Sequence, residues 1–85
     1  MPIEFLMAQM VLREAVEEAK VGADDTALDT TRRKLLAEIR QEHVHLQRLL
    51  DEEADYSAAT ALVRQLMFQD KLLEDIDNAL EAVLS

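Results

Sequence analysis

The sequence predicts an all-α domain folded as an antiparallel three-helix bundle, and three observations carry that prediction. A single Gly and a single Pro stand among 85 residues, in a chain rich in Ala, Leu, Glu, Gln and Arg, all of which favour helix. Apolar residues recur at three-four spacing through three long stretches, the period of a helix that buries one face. Only two short breaks separate those stretches, and short connections between long amphipathic helices make antiparallel neighbours. The expected helices run near residues 2–21, 25–51 and 55–84, as one domain over residues 1–85.

The first helix carries the stretch "EFLMAQMVLREAVEEA", residues 4–19. Phe5, Ala8, Leu12, Ala15, Val16 and Ala19 fall on one side and form the seam expected to close the bundle. Ile3, Leu6, Met7 and Met10 fall on the opposite side, roughly 180° away at ~100° per residue. Beyond them the second face becomes polar, with Glu14 and Glu17 on it and Arg13 alongside. A central buried helix would stay apolar along its whole length. This stripe is expected to be covered by the loop after the second helix, by a neighbouring domain or by a partner, because exposed apolar patches mark contacts.

The second helix begins after Gly22, which suits an αL C-cap, and Asp24 or Asp25 is placed to cap its start. Thr30 and Thr31 are expected to delay its start. Its seam reads Leu28, Leu35, Ile39, Leu46 and Leu50, with Leu36 and Leu49 at the margins. The acidic run "DEEAD", residues 51–55, ends it, and Asp55 is the expected N-cap of the third helix. There the seam reads Ala59, Leu62, Leu66, Leu73, Ile76, Leu80 and Val83. Phe68 projects ~140° or more away from this seam, with Leu72 close to it one turn later and Met67 off the seam on the other side. A second apolar patch on a second helix favours recognition over accidental exposure, since the two can be adjacent in a bundle. Methionines there would adapt to an irregular partner.

Composition removes several function classes. The formal net charge is −9, from 18 acidic and 9 basic residues, and such a surface repels phosphate backbones, which argues against nucleic acid. No apolar run approaches the ~20 residues of a membrane span, and the N-terminus lacks the pattern of a secretory signal. With no cysteine, the chain forms no disulfide and offers no thiolate to an iron–sulfur cluster. His43 and His45 stand two apart and point ~200° away from each other on a helix, so they cannot chelate one ion together. His43 is placed at the edge of the second seam and His45 in solvent. The acidic pairs lack the glycine-containing loop of a calcium site, and Ser57 and Ser85 have no histidine placed to activate them. The reading is of a protein that is not an enzyme and takes no metal or cofactor.

"FLMAQMVLREAVEEA", followed after some forty residues by "VRQLMFQDKLLEDI", resembles the C-terminal domain of HscB, the J-type co-chaperone of iron–sulfur cluster assembly. The resemblance covers the first and third helices and, through the length of the second, nearly the whole chain. It implies binding to the scaffold protein on which clusters are built (IscU) and its delivery to a specialised Hsp70. It also implies a bacterial cytoplasmic protein, or one of the mitochondrial matrix. The family's contacts fall by motif position on Leu6, Met7, Met10, Arg13, Glu14 and Phe68, with Glu18 a weaker candidate. Most of these are residues that rotation alone places outside the core. The His-Pro-Asp motif of a J-domain is missing, the only proline being Pro2, so the Hsp70-stimulating function lies outside this chain and an excised domain is expected. Val11 and Met67 stand where family members can carry an acid and a base, which makes the expected contact more apolar. A second expectation, from the exposed stripe alone, is self-association into a helical homodimer.

Overall fold

The computed structural model describes residues 2–85. Three helices follow in chain order: α1 (Ile3–Val21), α2 (Asp25–Asp51) and α3 (Tyr56–Leu84). Each boundary lies within a residue of the sequence expectation. The 29 residues of α3 make a rod of ~43 Å at 1.5 Å per residue, which sets the longest dimension of the 45 × 23 × 15 Å molecule. The α2–α3 hairpin forms the most extensive contact, and the shorter α1 lies against both of its helices.

The two turns share one solution. Ala23 and Ala54 both take φ of 50°, the left-handed conformation that reverses a chain at a helix end. The following residues, Asp24 and Asp55, cap the next helix: their carboxylates accept the N–H of Ala27 at 3.0 Å and of Ala58 at 3.1 Å. At the first turn the Ala23 N–H donates to the Lys20 carbonyl and the Asp24 N–H to the Ala19 carbonyl, the paired bonds of a Schellman motif. Gly22, expected as the αL residue, instead has φ of −82°. A Cβ there would meet the Glu18 carbonyl at an ordinary 3.5 Å; the left-handed position is one residue later, where the 6→1 bond places it. Thr30 and Thr31 do not delay α2, because their hydroxyls donate to the carbonyls of Thr26 and Ala27 within the helix.

Leu12, Val16 and Ala19 of α1, Leu28, Leu35 and Ile39 of α2, and Leu66, Leu72, Ile76 and Ala79 of α3 form one continuous core. Leu49, Ala59 and Leu62 form a second cluster near the α2–α3 turn. Arg32 and Asp77 join α2 to α3 at 2.6 Å across the edge of the bundle, a pair worth at most ~1 kcal/mol because both side chains are well exposed.

The seams differ from expectation in one consistent way. In α1 the buried residue is Gln9, and Ala8 and Ala15 are exposed. Gln69 is buried in α3, which brings Leu72 into the core and leaves Leu73 half-buried. In α2 the seam passes through Glu42 to Leu46 and Leu49, so Leu50 and His43 are exposed. Each helix keeps its three-four period through a polar residue that side-chain type alone assigns to solvent.

Candidate partner-binding face

Ile3, Leu6, Met7 and Met10 stand on the outer side of α1, exposed to 70, 41, 60 and 60 %. The turn after α2 does not cover them. Val11 continues the face and is exposed as well. Nothing in the helix itself requires apolar side chains there, since Leu12, Val16 and Ala19 already supply the inward contacts. Exposed together, these residues make a contiguous apolar surface of the kind that marks a contact.

Phe68 of α3, 45 % exposed, adjoins this face. With Met67 and Lys71 of its own helix and Arg13 of α1, it lines a shallow apolar hollow between the two helices. Packing of α1 against α3 therefore brings Arg13 and Phe68 together across most of the chain. Among the described residues Arg13 joins no ion pair, so its guanidinium is free at the rim, where it can meet a carboxylate or an aromatic face. Lys71, the other cation at the rim, stands 3.9 Å from Glu74.

Glu14 is exposed beside Met10 and Arg13 on the helix surface. Glu18 is exposed too, but it borders a different hollow, between the end of α1 and the start of α2. It therefore lies on the flank of α1 away from Phe68. Leu72, expected beside Phe68, is buried at 2 % and contributes to the core instead. Met67, placed by rotation on the other side of the seam, lines the hollow with Phe68. Lys71 was not singled out by periodicity; its position four residues after Met67, one turn along the same ridge, was the available signal.

No described helix is long and apolar enough to cross a membrane. Among the described residues, the displaced titration belongs to Glu42. Burial pushes its carboxyl above the ordinary range, Gln69 partly offsets this by donating a hydrogen bond, and Glu38 adds repulsion, with His43 and His45 acting in the opposite sense.

Comparison with known proteins converges on one family. Residues 1–77 match the family described as the HSCB C-terminal oligomerisation domain. A "Co-chaperone protein HscB homolog" from Azoarcus sp. (strain BH72) is 46 % identical over 80 residues, covering 94 % of this chain and 45 % of that protein. The homolog of the same name from Aromatoleum aromaticum is 43 % identical over 79 residues, covering 93 % of this chain and 45 % of its own. That from Chromobacterium violaceum is 44 % identical over 84 residues, covering 99 % and 47 %. No solved structure matches. The chain spans a little under half the length of the curated relatives it matches. With a helical bundle of the expected form and a family match over most of its residues, the chain belongs to the HscB C-terminal domain family.

Proposed function

We propose that this domain is the substrate-holding part of a co-chaperone: it binds an IscU-type iron–sulfur scaffold protein and presents it to a specialised Hsp70. In this reading the Hsp70 is engaged by a J-domain. The observation that carries the reading is the continuous apolar face of Leu6, Met7 and Met10 on α1, adjoining the Arg13–Phe68 hollow between α1 and α3. Leu6, Met10 and Phe68 are the anchors desolvated on binding. Arg13 and Glu14 form the polar rim that fixes orientation, with Glu18 at the far margin. The cluster's ligands belong to the scaffold, because this chain has no cysteine.

Replacing Leu6, Met10 and Phe68 together with Ser is expected to abolish scaffold binding and leave the helical circular dichroism intact, since all three side chains are exposed. Unchanged affinity by titration calorimetry would remove the site assignment.

A second reading follows from the family description, which names an oligomerisation domain. The same face can pair with a second copy of the chain. Sedimentation equilibrium decides: a concentration-dependent dimer lost on substituting Leu6 and Met10 supports it, and a strict monomer rules it out.

A further inference from the structure

The chain has four methionines and no cysteine. Met1 lies outside the described residues; the other three share one environment. Met7 and Met10 are each 60 % exposed and Met67 is 65 % exposed, while the hydrophobic core is assembled from Leu, Ile, Val and Ala. On α1, Met7, Met10 and Arg13 stand three apart, so their side chains are neighbours along one ridge. Arg13 shares the hollow between α1 and α3 with Met67 and Phe68. The three thioethers therefore lie on one connected surface that crosses from α1 to α3, and none of them belongs to the core.

That placement has a chemical consequence. A thioether is a flexible apolar group that moulds to a partner, and in a chain without thiols it is the sulfur that an oxidant meets. A hydroperoxide delivers one oxygen. The sulfur lone pair attacks, an S–O bond forms as the O–O bond breaks, and sulfur gives up two electrons. The proton of the transferred oxygen goes to the departing hydroxide, which leaves as water. The product is a sulfoxide, a polar, chiral group whose oxygen accepts hydrogen bonds from water while the face is exposed. Against an apolar partner that oxygen loses its water, and an unpaired polar group is costly to bury. Folding escapes the same penalty, because all three sulfurs stay in solvent. Methionines scattered over the bundle would oxidise without effect on either property; here all three sit where binding must exclude water.

We infer that Met7, Met10 and Met67 are an oxidation site that switches the partner face off. Conversion to sulfoxide by a hydroperoxide lowers affinity for the partner and leaves the fold intact. A dithiol reductant restores the face: sulfur regains two electrons, the sulfoxide oxygen leaves as water, and the two thiols join as a disulfide. The inference rests on the scaffold-binding reading, since it names the regulation of that same site.

In the test, the domain is treated with hydrogen peroxide, the peroxide is removed with catalase, and an untreated IscU-type scaffold is titrated in. Peptide mass spectrometry measures sulfoxide at each methionine, circular dichroism follows the fold, and calorimetry gives the affinity. Conversion of the three sulfurs is expected to weaken binding about tenfold or more, the scale set by burying one polar group without a partner. Helicity and melting temperature should not change. Methionine sulfoxide reductases for both epimers, supplied with a dithiol, are expected to restore the affinity. The variant Met7→Leu/Met10→Leu/Met67→Leu serves as its own reference: whatever its starting affinity, treated and untreated samples should bind equally. Should that variant fail to fold or bind, repair by the reductases decides. Undiminished affinity with the three sulfoxides in place overturns the inference, as does an equal loss in the variant or a loss that accompanies unfolding. An untreated domain that binds no scaffold is a different result: it overturns the scaffold-binding reading, and the inference with it.

Discussion

Gln69 and Glu42 meet across the α2–α3 interface at 3.1 Å, a hydrogen bond between two side chains on otherwise apolar seams. Burial raises the Glu42 carboxyl above its ordinary range, so the folded protein holds this proton more tightly than the unfolded chain. Its contribution to stability is therefore fully present below the unfolded-state pKa and is lost as pH rises through the folded value.

Glu42→Gln removes the ionisation and keeps a polar side chain. It is expected to stabilise the domain at neutral pH by no more than about 1 kcal/mol, because it removes the cost of desolvating a carboxylate that solvent still partly screens. The advantage should shrink as pH falls into the carboxyl range. Urea unfolding at neutral and acidic pH checks both parts; an advantage that grows toward acid would contradict a raised pKa.

Phe68→Ala is expected to weaken scaffold binding by ~2 kcal/mol, roughly 30-fold, as truncation of a central aromatic anchor does. The melting temperature should change little, because the ring is 45 % exposed. Glu18→Ala, on the other flank of α1, should change affinity by less than threefold, about 0.6 kcal/mol. Calorimetric titration of both variants measures the contrast.

Ala23 and Ala54 carry the left-handed conformation at the ends of α1 and α2, where a Cβ costs roughly 1 kcal/mol. Ala23→Gly and Ala54→Gly are each expected to stabilise the domain by a few tenths to ~1 kcal/mol after the entropy cost of glycine is counted. The two gains should add, as the sites lie at opposite ends of α2. Thermal melts of the single and double variants test this.

Adjacent leucines on α3 separate the observed seam from the one expected. Leu72→Ala should cost ~2–5 kcal/mol, the range for a fully buried leucine. Leu73→Ala, half-buried at the core's edge, should cost clearly less. Equal losses in denaturant unfolding would mean that both share the core.

Much of this molecule is legible in the chain. The length of the helices follows from the scarcity of breakers, and the starts at Asp25 and Tyr56 from Asp24 and Asp55, whose short carboxylates reach the free N–H groups of a first turn. The two-sided character of α1 is equally visible, because a three-four period cannot accommodate Leu12 and Leu6 on one face. The outward stripe of Ile3, Leu6, Met7 and Met10 was readable on that ground, and Phe68 was readable as its companion on α3.

What tertiary structure decided is which polar residues go inside. Gln9, Glu42 and Gln69 occupy seam positions that composition assigns to solvent, and a difference of one position separates Ala8 from Gln9, Leu50 from Leu49 and Leu73 from Leu72. A helix rotated by one residue offers an almost equally apolar face, so local pattern leaves the choice nearly balanced. For Gln69 and Glu42 the balance is settled across the α2–α3 interface, where each is the other's hydrogen-bond partner. The sequence by itself determined three helices and a surplus apolar face turned outward; packing determined which polar residues share the inward faces.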